Sequence, residues 1–175
     1  ITLFLVPLDH PSITVQGIWT MGDERTNDVF FDDVFVPDEY VVGQLNHGFQ
    51  YISQALDIER FTMFTFSPVE QRLDLLVDHV RSAMRDGEPL KDDPRVRSRI
   101  ARLATDAEVA RGMGLRVVDA SVKAERDGGA PPTIEASEYK LFTTEFSKRL
   151  ADESMDLGGP GTQLRVGTDE APMEG

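Results

Sequence analysis

Beyond Gly48, apolar residues recur three or four positions apart along most of the chain. Phe49, Ile52 and Leu56, then Val69, Leu73, Leu76, Val77 and Val80, keep that spacing and predict a long helical stretch. Pro68 lies inside it. A proline there removes a backbone donor and crowds the preceding turn, so a kinked helix or two abutting helices follow, with Ser67 as N-cap, Pro68 at N1 and Glu70 at N3. Asp86-Gly87-Glu88-Pro89 reads as a turn. Asp93-Pro94 opens a second helix, whose stripe Val96, Ile100, Leu103, Ala107, Ala110, Met113, Val117 and Val118 ends near Gly128-Gly129. After the linker Ala130-Pro131-Pro132-Thr133, a third helix runs from about Ile134 to Met155. It carries Tyr139, Phe142, Phe146 and Leu150 on one face and stops at Leu157-Gly158-Gly159-Pro160-Gly161.

Ahead of Gly48 the character is extended. Ile1–Val6, Ile13–Val15 and Val29–Val36 read as strands, the last ended by Pro37. They are too few for an independent sheet of ordinary size. The fold class is therefore mainly α: a few strands over residues 1–45, then a helical bundle over 46–175. Three helices leave one face uncovered, so the stripe Tyr139, Phe142, Phe146 and Leu150 would be exposed unless a fourth helix or another chain covers it, and a dimer or tetramer joined through helices is expected.

Composition narrows the partners. A net charge of −13 and the lack of a basic stripe argue against binding nucleic acid or an anionic membrane surface. There is no cysteine, which excludes disulfides, thiolate catalysis and cysteine metal sites. No apolar run reaches the roughly 18 residues of a membrane span, and no basic-plus-apolar leader opens the chain, so a cytoplasmic location is the default. A strand at the first residue and a polar tail at the last suggest a piece of a longer protein.

Few residues point to chemistry on their own. His10, His47 and His79 lack ligand spacing with carboxylates, so no metal site is expected. Gly158-Gly159-Pro160-Gly161 lacks the Lys-Ser/Thr of a phosphate loop and reads as a helix stop. Glu59-Arg60 places an acid and a base in one helical turn, and adjacency does not make them an ion pair on the helix surface. By composition Glu59 is a solvated helix residue. Its neighbours Leu56, Ile58, Phe61, Met63, Phe64 and Phe66 suggest an apolar wall instead, the surroundings that make a carboxylate a stronger base.

Several landmarks occur in a fixed order: Phe4-Leu5-Val6-Pro7, Met21-Gly22, Phe31-Asp32-Asp33-Val34-Phe35-Val36-Pro37, Gly48-Phe49, Leu56-Asp57-Ile58-Glu59-Arg60 and Leu157-Gly158-Gly159-Pro160-Gly161. Over essentially the whole chain this order resembles the acyl-CoA dehydrogenase family. The resemblance implies the end of a middle β-domain over 1–45 and an incomplete C-terminal helical domain over 46–175. It implies α,β-desaturation of an acyl-CoA thioester by an FAD enzyme that an electron-transfer flavoprotein reoxidises. Glu59 stands where isovaleryl and long-chain members carry the base. The resemblance makes Arg60 its catalytic neighbour, orienting it or securing the helix, and makes Gly158 and Gly159 cofactor contacts. The chain departs from the pattern in the loop Ser82–Gly87, where Ala83 and Asp86 replace an Arg and a Phe that reach a neighbouring subunit's flavin. Met155 also replaces a glutamine.

Two readings follow. In one the chain is part of the dehydrogenase, inactive and colourless by itself. In the other it is a non-catalytic module, a fragment or partner subunit, that builds the core of a homo- or hetero-oligomer without flavin.

Overall fold

A computed structural model describes residues 1–62, 66–164, 167–169 and 171–174, apart from the side chains of Ile58, Phe61 and Glu174. The chain divides into two compact units, Ile1–Ala55 and Leu56–Gly175. In the first, β1 (Leu3–Phe4) pairs antiparallel with β4 (Val41–Val42). A hairpin joins β2 (Ile13–Trp19) to β3 (Arg25–Phe31), in register from Ile13 opposite Phe31 to Trp19 opposite Arg25. Helix α1 (Gly48–Thr62) begins in this unit and ends in the second.

The strand boundaries differ from the sequence expectation. The strand over Val29–Val36 instead starts at Arg25 and stops at Phe31, because Asp33 turns the backbone left-handed (φ 50°). Ile1–Val6 shrinks to two paired residues, while Ile13–Val15 grows to seven. The growth comes from cross-strand pairing with polar residues, including Asn27 and Asp28, whose own pattern carries no strand signal.

In the second unit the end of α1 is followed by α2 (Phe66–Ser82), α3 (Pro94–Asp127) and α4 (Thr133–Gly158). The expected kink or break between α1 and α2 falls at residues 63–65, which lie outside the described residues. Phe66 is already helical, so Ser67 lies inside α2 and not at an N-cap. Between α2 and α3 lies a small hairpin of β5 (Met84–Arg85) and β6 (Glu88–Pro89). Asp86 (φ 54°) and Gly87 (φ 85°) form its left-handed two-residue turn. Asp93 caps α3 by accepting from the Arg95 amide at 2.7 Å, and Gly128 closes it in the left-handed conformation.

The buried positions of the three helices share one rhythm. Val69, Leu73, Leu76 and Val80 on α2 step by four, three and four. Leu103, Ala107 and Ala110 on α3 keep that rhythm, as do Ala136, Tyr139, Thr143, Phe146 and Leu150 on α4. Such seams interlock when helices lie nearly parallel or antiparallel. Helices α3 and α4 are antiparallel, since their polar pairs run in opposite senses. Arg99 meets Glu153 and Asp156, Asp106 meets Arg149, and Arg116 meets Glu135 and Glu138. The hydrogen bond from Arg99 holds the Asp156 carboxyl below its ordinary range.

One expectation is overturned here. The stripe Tyr139, Phe142, Phe146 and Leu150 does not await another chain. Tyr139, Phe146 and Leu150 are buried and Phe142 is half-buried, because α2 and α3 already cover that face. Phe146 is 0% exposed. Phe146→Ala should therefore cost about 3–5 kcal/mol of stability by denaturant titration. Phe146→Glu should abolish the helical far-ultraviolet circular dichroism of the domain; a folded but dissociated protein would contradict this packing.

Candidate active site

The last turn of α1 carries two carboxylates with different surroundings. Asp57 accepts a hydrogen bond from Thr133 Oγ1 at 3.1 Å and stands 3.7 Å from Arg60 Nη1. Arg60 Nη1 also donates to Ser137 Oγ at 3.1 Å. Glu59, between them in sequence, is exposed, and among the described residues its carboxylate has no hydrogen-bond or ion-pair partner. Its backbone carbonyl accepts from Thr62 Oγ1 at 3.4 Å. The turn thus holds one carboxylate fixed and leaves the other free to meet a ligand.

Most of the apolar wall expected around Glu59 falls outside the described residues. Leu56 is 42% exposed. Met63, Phe64 and the side chains of Ile58 and Phe61 lie outside the described residues. Phe66 is half-buried. Its backbone hydrogen-bonds to the hydroxyl of Tyr139, which burial pushes up from its ordinary range. Tyr139 therefore ties Phe66 of α2 to α4 two residues beyond Ser137.

Gly158 and Gly159 sit at the far end of α4. Gly158 is the last helical residue, and a Cβ there would collide with Thr162 and come within 2.9 Å of Met173 Cε. Gly159 adopts φ 72° and ψ −162°, a conformation essentially reserved for glycine, and a Cβ built on it meets nothing within 4 Å. Gly158 is thus required by the chain's own packing, whereas Gly159 shapes a turn whose outer side is open to approach. Arg85 supports this end: its Nη2 donates to the carbonyls of Asp156 at 3.0 Å and Leu157 at 3.2 Å, two of the acceptors a helix end leaves unpaired. A cavity of about 500 Å³ between α2 and α4 reaches the same turn through Thr162 and Met173.

The structure does not bring the two glycines to Glu59. At about 1.5 Å per residue, α4 separates Ser137 from Gly158 by roughly 30 Å. Sequence reasoning also missed Asp57, Thr133, Ser137 and Arg85 as site-shaping residues. The partners of Arg60 and Asp57 lie 77 and 76 positions along the chain, a separation that no local pattern signals. Among the described residues, no cluster of metal-ligating side chains is present, and no helix is long and apolar enough to cross a membrane.

Residues 46–174 match the sequence profile of the acyl-CoA dehydrogenase C-terminal domain. The chain belongs to the acyl-CoA dehydrogenase family. Acyl-CoA dehydrogenase FadE34 of Mycobacterium tuberculosis is 31% identical over 166 residues, covering 92% of this chain and 21% of that protein. The crystal structure of acyl-CoA dehydrogenase from Geobacillus kaustophilus matches with a TM-score of 0.83 at 25% identity, covering 99% of this chain and 45% of that one. The ChsE4-ChsE5 complex from Mycobacterium tuberculosis shares the fold, with a TM-score of 0.81 at 24% identity over 99% of this chain and 44% of that one. The chain thus spans between a fifth and a half of the length of these acyl-CoA dehydrogenases.

Within the family fold, the turn after α4 gives a direct test of the glycine argument. Gly159→Ala should destabilise the protein by about 1–3 kcal/mol, since alanine does not adopt that backbone conformation without strain. An unchanged melting temperature would show that the turn relaxes to another conformation.

Proposed function

We propose that this chain is the part of an FAD-dependent acyl-CoA dehydrogenase that supplies the catalytic base, and that Glu59 is that base. The observation that carries the reading is the free carboxylate of Glu59 beside the tied carboxylate of Asp57, at the Leu56-Asp57-Ile58-Glu59-Arg60 motif of a family member. A base must reach the proton it removes, and a side chain without an internal partner is available for that. The substrate is an acyl-CoA thioester, whose α-proton is acidified by the adjacent carbonyl. Glu59 takes that proton as the Cα–H bond breaks, and the double bond forms as the β-hydrogen departs with its electron pair. The product is the trans-2-enoyl-CoA. FAD, when bound, supplies the acceptor for that hydride, and an electron-transfer flavoprotein removes the electrons afterwards.

The chain's own residues prepare this step. Arg60 is turned toward Ser137 and Asp57, so its part is to secure the helix beneath Glu59. A carboxylate is a stronger base away from water. Because Glu59 is exposed here, the dry surroundings come from other parts of the enzyme. Of Gly158 and Gly159, the second fits a cofactor contact, since its open side admits a phosphate-bearing ligand close to the backbone, while the first is packed against Thr162 and Met173. The distance of this turn from Glu59 means that it serves the cofactor of a different subunit, which makes the enzyme a homo- or hetero-oligomer. With the Tyr139–Leu150 stripe buried, the helical contact falls to apolar residues that α3 leaves exposed, Leu115, Val118 and Val122. The working location is the cytoplasm.

Replacing Glu59 by Gln in the full-length protein keeps size and polarity and removes the base. Turnover should fall by about 10² or more, with flavin content unchanged. Near-normal turnover would assign proton abstraction to another residue.

A further inference from the structure

The contacts between α1 and α4 form a closed polar ring. Thr133 Oγ1 donates to Asp57 Oδ2 at 3.1 Å, and its other acceptor, the Pro131 carbonyl, is farther at 3.5 Å. Arg60 Nη1 reaches both Asp57 Oδ1 and Ser137 Oγ. Ser137 Oγ donates to the Thr133 carbonyl at 2.7 Å, which leaves its lone pairs for the Arg60 guanidinium. Both hydroxyls and Arg60 Nη1 therefore have acceptors within the ring.

Asp57 has a second reason to be where it is. Thr133 is the first residue of α4, and Pro132 before it provides no capping side chain. A helix N-terminus presents unpaired amides and a partial positive charge. Asp57 brings from a different helix the negative charge that the local sequence Pro131-Pro132-Thr133 lacks.

Successive residues turn by roughly 100° around a helix. With Asp57 and Arg60 both directed at α4, Glu59 points roughly 100° to 160° away from them, off the bundle. We propose that Asp57, Arg60, Thr133 and Ser137 act as a clamp that fixes the rotation of the last turn of α1 and so aims the Glu59 carboxylate. Thr133 and Ser137 are then positioning residues for proton abstraction, acting at a distance from the substrate. This inference rests on the reading of Glu59 as the base. The effect on rate is large because a misplacement of about 1 Å in a reacting group costs up to roughly 10²-fold.

The test uses the full-length enzyme with Ser137→Ala and Thr133→Val, each removing one hydroxyl of the ring, and with Ser137→Thr and Thr133→Ser, which keep it. Glu59→Gln is measured alongside. The hydroxyl-free variants should lower kcat about tenfold with KM within about twofold, while circular dichroism and flavin content stay unchanged. The hydroxyl-retaining variants should recover most of the lost kcat, which a purely structural role for these side chains would not produce. Should Ser137→Ala fail to fold, Thr133→Val breaks the same ring from its other side. Normal kcat in Thr133→Val and Ser137→Ala, beside an inactive Glu59→Gln, would overturn the clamp and leave the base in place. Failure of the hydroxyl-retaining variants to recover kcat would also overturn it. Normal turnover in Glu59→Gln would overturn the base, and the clamp with it.

Discussion

Everything in the helical unit depends on α4 being held between α2 and α3. Phe146 and Tyr139, both essentially inaccessible to solvent, fill the middle of that contact. Because buried residues on all three helices step by three and four, each side chain enters a gap between residues of its neighbours. Gly114 on α3 leaves room for the Tyr139 ring, whose Cε2 would lie 3.3 Å from an added Cβ. Thr143, the buried polar residue of this seam, donates to the Tyr139 carbonyl at 2.8 Å, so its burial leaves no unpaired hydroxyl. Polar pairs between α3 and α4 run along the edge of the seam. Exposed pairs of this kind contribute little each, so the apolar contact dominates the stability.

Once α4 is fixed, its two ends hold the two parts of the candidate site. The N-terminal turns receive Asp57 and Arg60, the contacts proposed to set the rotation of the turn that carries Glu59. The C-terminal end receives Arg85 from the β5–β6 hairpin and continues into the Gly158-Gly159 turn. A rigid helix keeps these ends apart. On the proposed reading, base and glycine turn act in separate places, and an oligomer would give each a partner. The exposed Glu59 and the open side of Gly159 are two faces of the same arrangement.

Much of the helical fold was legible in the sequence because helices announce themselves locally. The Asp93-Pro94 start and the Gly128 stop of α3 are set by residues one or two positions away, and the apolar spacing marks its buried face. The strands were less legible. The β2–β3 hairpin depends on pairing that admits Asn27 and Asp28, and Asp33 ends the strand before the apolar run does. Sequence also showed that Tyr139, Phe142, Phe146 and Leu150 share a face, but not which helices cover it, since that is a matter of packing. At the candidate site the motif around Glu59 was visible through family resemblance. Thr133 and Ser137 were not, because nothing in a lone hydroxyl at a helix start names a partner on another helix.

The central claim is that Glu59 removes the α-proton, and exchange of that proton tests it without depending on later steps. The full-length enzyme would be incubated in deuterium oxide with an acyl-CoA thioester that lacks a transferable β-hydrogen, and deuterium at the α-carbon followed by mass spectrometry. The account predicts steady incorporation with the native protein and essentially none with Glu59→Gln. Incorporation at the native rate in that variant would contradict it.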